Sequence, residues 1–139
     1  MWLIVYFLLW PQAPPPTGAP AQNAASTLDF ATFKSAVEPL FLEKRPGHAR
    51  CVTCHSTGTA FRLQALAKGE TVWTNEQSQK NFEMIKRFVL PGVPSKSRLL
   101  VMPLAHEAGG TEFHPGGKHW ESQADAEWKA LANWVNGVK

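Results

Sequence analysis

Cys51-Val52-Thr53-Cys54-His55 holds the only two cysteines of the 139-residue chain, with a histidine directly after the second. A C-x-x-C-H run is the attachment signature of a c-type haem. Each thiol adds to one vinyl group, and the two-residue spacer keeps both sulfurs on one edge of the porphyrin. The next side chain, His55, then points its imidazole at the iron as proximal ligand. This reading leaves no thiol over.

Two other chemistries use closely spaced cysteines. A redox dithiol belongs at the start of a helix that follows a buried strand, and no such strand pattern precedes Cys51. A structural zinc ion wants four ligands, with any histidine pair on a helix. His114 and His119 have roughly the spacing, but Pro115-Gly116-Gly117 between them breaks a helix. One covalent haem c is therefore the expected cofactor, bound through Cys51, Cys54 and His55.

The second axial position decides how such an iron behaves. The candidates are Met84, Met102, His106, His114 and His119. Met84 falls inside a long helical pattern and reads as packing or surface. Met102 is followed by Pro103, which ends a short helix and frees the thioether to project, although a methionine beside Leu99, Leu100 and Leu104 is more usually a core residue. His114 sits on a glycine-rich loop, where backbone can come close to a flat macrocycle. His114 is the preferred distal ligand and Met102 the alternative; His119, His106 and an open position remain. Methionine raises the potential of a haem, so a bis-histidine pair implies a lower one. Either pair leaves no position for a substrate.

The elements that position these residues read as all-α, four to five short helices joined by long loops. With 11 prolines and 10 glycines among 139 residues, turns are frequent. Thr27 or Asp29 can cap a first helix whose Phe30, Phe33, Val37 and Phe41 share a face, with Pro39 expected to kink or end it. Arg45 to Arg50 is a basic turn, read as surface loop and also placed to meet a propionate or an acidic partner. After a polar turn, Phe61, Leu63 and Leu66 face the haem. A clearer helix spans 75–89, capped by Asn75, with Phe82, Ile85 and Val89 on one side. Pro91-Gly92-Val93-Pro94 stops it, and 95–102 forms a short helix with Leu99 and Leu100 inward. Ala108 to Gly117 is loop. The last helix is capped by Ser122, carries Trp128, Leu131, Trp134 and Val135 as its buried stripe, and ends at Gly137.

Length suits one domain, and 44% hydrophobic residues suffice for a core. The net charge of +3, without a block of five or more Lys or Arg, argues against nucleic acid. Met1 to Trp10 is apolar and uncharged, too short for the roughly 20 residues of a membrane span. It matches the apolar core of a secretory signal, with Ala19-Pro20-Ala21 as cleavage site, although no Lys or Arg precedes it. The expected division is 1–21, signal peptide or apolar N-terminal arm; 22–27, linker; and 28–139, a single-haem domain.

The chain resembles the cytochrome c family, and more narrowly its planctomycete-type single-haem domains. Besides C-x-x-C-H, the resemblance rests on Pro39-Leu40-Phe41, on Pro91-Gly92-Val93-Pro94 running into Ser97-Arg98-Leu99-Leu100, and on His114-Pro115-Gly116-Gly117 before the Trp-containing last helix. It spans roughly Leu28 to Gly137. It implies the cytochrome c fold, with first and last helices crossing beside the haem, and electron transfer outside the cytoplasm, in the periplasm or extracellular space. It also implies a distal histidine ahead of a Gly-Gly pair. Many such domains have a glycine at the helix crossing; Asp29 to Glu38 has none, and Ala31 and Ala36 are its small residues.

The leading expectation is an exported electron-transfer protein rather than an enzyme. Its partners would be redox proteins, including a membrane-bound respiratory or photosynthetic complex, with no nucleic acid and no small-molecule substrate. The alternatives are an open-site haem enzyme or gas sensor, and a haem-bearing structural subunit of a larger complex or filament.

Overall fold

Asp29 opens the first helix, its carboxylate accepting from the backbone N–H of Thr32 at 2.7 Å. The structure, a computed structural model, describes residues 27–139. The signal or arm over 1–21 and all but the last residue of the 22–27 linker fall outside them. The described residues form short helices and no strands.

Helix α1 is built from Phe30–Thr32, a π-helical turn Phe33–Val37, and Glu38–Leu42. Pro39 does not end it. A proline inside an α-helix clashes with the carbonyl four residues back and lacks the N–H that would bond it. Here the preceding turn widens, so that Glu38 N–H donates to the Phe33 carbonyl. Regular bonding resumes with Glu43 N–H to the Pro39 carbonyl at 3.0 Å. Phe33, Val37 and Phe41 are buried as the spacing predicts, and Phe30 is half-buried.

Helix α2, Cys51–His55, is a single turn. Helix α3, Asn75–Ile85, continues into a 3-10 turn, Lys86–Phe88. Its cap is Thr74, one residue before the expected Asn75: Thr74 and Gln77 satisfy each other's backbone N–H groups in a capping box. Helix α4, Arg98–Val101, buries Leu99 and Leu100. Helix α5, Ala126–Val135, starts after Asp125, while Ser122 accepts from Ala124 N–H in the turn before it. Its end is a Schellman motif: Gly137, at φ +74°, donates to Trp134, and Val138 donates to Asn133.

Helices α1 and α5 meet at the π-helical turn. Phe33 lies 5.7 Å from the Trp134 ring, Phe82 of α3 packs on both, and Trp134 Nε1–H donates to the Asp29 carbonyl at 2.9 Å. Ala31 and Ala36 are exposed and take no part in the contact. No helix of the described residues is long and apolar enough to cross a membrane.

Candidate functional site

His55 is the last residue of α2, and the chain beyond it folds back to hold its ring. Leu63 N–H donates to the His55 carbonyl at 2.7 Å, and His55 Nδ1 is 2.9 Å from the Phe61 carbonyl. That bond places the proton on Nδ1 and leaves Nε2 as the free donor atom, the arrangement a metal-bound imidazole needs. Phe61 also packs on the His55 ring at 4.7 Å and is braced by Phe41 and Phe88. Burial pushes the His55 pKa below its ordinary value, opposed by the Phe61 carbonyl and assisted by His114. The imidazole is therefore neutral near pH 7, as ligation requires.

His114 is delivered by a loop closed at its base. His119 N–H donates to Pro103 at 2.7 Å, Ala105 N–H donates to Trp120 at 2.9 Å, and Leu104 and Trp120 form a parallel bridge. Thr111 bonds the end of α4 twice, from its N–H to Val101 and from its hydroxyl to Met102. Within the loop, His114 Nδ1 lies 2.7 Å from the Gly117 carbonyl, so this ring too keeps Nε2 free. Gly116 makes room for it: a Cβ there would stand 3.0 Å from His114 Cε1.

The two imidazoles lie with ring centres 6.2 Å apart and planes within 11° of parallel. Two metal–nitrogen bonds of about 2 Å, with each ring centre about 1 Å beyond its nitrogen, put opposed ring centres roughly 6 Å apart. The spacing thus fits one metal ion held between His55 and His114.

The rings face a cavity of about 340 Å³. Leu40, Phe41, Phe61, Leu99 and Leu131 supply apolar walls, and both Cys51 and Cys54 line it as free thiols. Burial pushes the Cys51 thiol pKa up, with Arg45 partly offsetting this. The charged residues lining the cavity are Arg45, Arg50 and Arg98, and no Asp or Glu is among them. An apolar cavity lined by two thiols, two imidazoles and, among charged side chains, only cationic ones suits an apolar, acidic occupant. The donor set fits a haem c.

Searched against family models, curated proteins and solved structures, the chain matches none.

The other expected ligands separate clearly. Met102 lines the cavity, at the C-cap of α4, and so stays within the site. His119 lines it as well, with its ring 6.1 Å from that of His114. His106 is exposed and does not line the cavity; Met84 lies in a separate groove with Gln79 and Glu83. No group of three or more His, Cys, Asp or Glu is gathered for a metal ion among the described residues; axial ligation of a porphyrin asks for two.

A polar cluster at the cavity wall was not visible as such in the sequence. Arg45 turns inward, its side chain 11% exposed, and pairs with Glu127 of α5 through Nε and Nη2. Trp120 Nε1–H donates to the same Glu127 oxygen at 2.9 Å. Burial works to raise the Glu127 pKa, but Arg45 and Trp120 outweigh it and hold the carboxyl below its usual range. His119 is pushed down to about 4, by burial first and then by Arg45, His48 and His114. Arg45 and Glu127 stand 82 positions apart, and no local pattern announces such a pair.

Proposed function

We propose that this protein is an exported single-haem electron carrier with the cytochrome c fold. The observation that carries the reading is the parallel pair His55 and His114, 6.2 Å apart beside the Cys51–Cys54 thiols, each ring tied by Nδ1 to a backbone carbonyl. Cys51 and Cys54 would hold the porphyrin covalently, with His55 and His114 as its axial ligands. When bound, the haem supplies one-electron chemistry between ferrous and ferric iron.

The chain's residues supply the rest. The carbonyls of Phe61 and Gly117 fix both imidazoles in one tautomer and orientation. With both rings anchored, a change of one charge requires little motion of the ligands. Phe41, Phe61 and Leu131 keep water from the interior of the slot. Cys54 is exposed and marks the open edge, where a redox partner can approach. With Arg45 engaged by Glu127, Arg50 is the cation of the basic turn left to attract an acidic partner there. The N-terminal segment fits this reading as an export signal, since thiol attachment of haem follows translocation in the family the chain resembles.

The test is to produce the full chain with a haem-attachment pathway and weigh it after denaturation. Retained pigment, a mass increase of one haem and a reversible reduced-minus-oxidised spectrum are expected. A bare chain under conditions that mature another c-type haem protein would refute the proposal.

A further inference from the structure

Arginines gather around one aromatic pair on the side of the proximal ligand. Arg62 follows Phe61 in the chain, Arg87 precedes Phe88, and the Arg98 guanidinium rests over the Phe88 ring, 5.8 Å from its centre. Phe61 and Phe88 pack on each other at 5.1 Å, so the cations that flank them belong to one area of surface. Arg62, Arg87 and Arg98 are all exposed, and none takes part in an ion pair among the described residues. Glu83, an acid on the helix that leads to Arg87, is engaged by Lys86 at 3.0 Å. Packing accounts for the phenylalanines, and the ring contact accounts for Arg98. Neither accounts for unpaired like charges collected in one place, which repel one another and attract an anion.

The same aromatic pair leads into the site. Phe61 packs on the His55 ring at 4.7 Å, and its carbonyl holds His55 Nδ1 at 2.9 Å. Rings at these spacings are in contact. Packed atoms therefore run from the proximal imidazole through Phe61 to the half-buried Phe88 and the arginine above it. Electronic coupling falls steeply with distance, and it survives contact between packed groups better than a gap.

We propose that Arg62, Arg87 and Arg98 form a docking surface for an acidic redox protein, and that Phe61 and Phe88 couple this partner to the iron through His55. The proposal rests on the electron-carrier reading above and adds a proximal face to the approach at Cys54. One electron leaves ferrous iron and the partner, a one-electron acceptor, gains it; no bond breaks and no proton moves. The partner presents Asp and Glu carboxylates, because each guanidinium offers paired N–H donors in the plane that a carboxylate accepts.

The experiment uses the full, haem-loaded chain in its reduced form. Ferricyanide, a small anionic oxidant, stands in for the acidic partner, and oxidation is followed by stopped flow at low and high salt. The combined variant Arg62→Gln, Arg87→Gln, Arg98→Gln is compared with Lys68→Gln, Lys129→Gln, Lys139→Gln, which removes the same charge elsewhere on the surface, and with Arg50→Gln. At low salt the arginine variant is expected to slow oxidation several-fold and the lysine variant by less than about twofold, with the difference erased at high salt. Phe88→Leu keeps every charge and is expected to slow oxidation several-fold at both salts, with spectrum and midpoint potential unchanged. Equal slowing by the arginine and lysine variants, or slowing by Arg50→Gln alone, would overturn the docking surface and leave the electron-carrier reading standing. An unchanged rate in Phe88→Leu would overturn the coupling role of the aromatic pair. Phosphatidylglycerol vesicles that bind the wild type but not the arginine variant, with equal ferricyanide rates for the two, would give the surface to a membrane and overturn the protein partner. A wild-type chain that retains no haem would defeat the reading beneath the proposal. Should Phe88→Leu lose its haem, the arginine comparison, confined to exposed side chains, decides.

Discussion

Replacing His114 with alanine separates the two candidates for the distal position. In the chain without iron, the change removes one ring–carbonyl bond, His114 Nδ1 to Gly117, on a half-buried loop. That loss costs about 1 kcal/mol. With iron bound, the effect is of another order. The 6.2 Å between ring centres is the spacing expected of two imidazoles that share one metal ion. His114→Ala should therefore convert the ferric spectrum from low spin to high spin and admit carbon monoxide rapidly to the reduced protein. If Met102 swings in to replace it, the spectrum stays low spin and the potential rises, because thioether ligation favours the ferrous state. Met102→Ala is the control. Met102 is half-buried on the cavity wall, and its truncation should cost about 1 to 2 kcal/mol while leaving the spectrum unchanged. Absorption and electron paramagnetic resonance spectra of the two variants decide. A collapse of the low-spin signal in Met102→Ala but not in His114→Ala would refute the assignment; if neither variant alters it, both ligands are wrong.

Two further predictions concern the scaffold. Glu38 is 6% exposed with Oε2 unpartnered, and burial raises its pKa against the opposing effects of Ser78 and Lys34. A carboxyl raised in the folded state binds its proton more tightly there than in the unfolded chain, so stability falls as pH rises from near 4 through the folded value. Glu38→Gln should accordingly raise the melting temperature at pH 7, by about 1 kcal/mol of stability, and give no gain below the unfolded pKa; parallel melts at the two pH values check this. Gly110→Ala would place a Cβ 1.9 Å from the Leu104 carbonyl oxygen at the base of the His114 loop. It should cost about 2 to 3 kcal/mol in a denaturant titration and disturb the low-spin spectrum.

Much of this architecture is legible from local rules. The stripe Phe33, Val37, Phe41 and the stripe Trp128, Leu131, Trp134, Val135 are buried where their spacing puts them, and Gly137 adopts the left-handed cap that its place after the last apolar residue suggests. Where the expectations slip, competition between neighbours is the cause. Thr74 takes the cap from Asn75 because Gln77 stands at the position that completes a reciprocal pair with it. Pro39 fails to end α1 because the turn before it widens, and that turn carries Phe33 against Trp134. At the site, the thiols and His55 are contiguous and can be read directly. His114 could be nominated by its glycines, yet only the folded loop brings its ring to 6.2 Å from that of His55. The Arg45–Glu127–Trp120 cluster joins three distant segments through side-chain bonds, and no periodicity encodes that.

The cavity also bears on how the fold is held together. Its walls include Leu40, Phe41, Leu99 and Leu131, which belong to or pack against the main core, so the slot is continuous with the hydrophobic interior. The slot opens to solvent at the Cys54 edge, so its apolar walls meet water wherever no occupant covers them. A cofactor that covered them would therefore add to the stability of the fold. The double variant Cys51→Ala and Cys54→Ala, made without haem, tests this. The contact of α1 with α5 does not involve the cavity, since it runs through Phe33, Trp134 and the Trp134–Asp29 bond. Helical circular dichroism should therefore persist. The loops carrying Phe61 and His114 have the cavity on one side, so near-ultraviolet dichroism should weaken and a hydrophobic dye should bind, the signature of lost side-chain packing. A cooperative melt of this variant at the temperature of the haem-loaded protein would show that the slot is rigid on its own and that cofactor and fold are uncoupled.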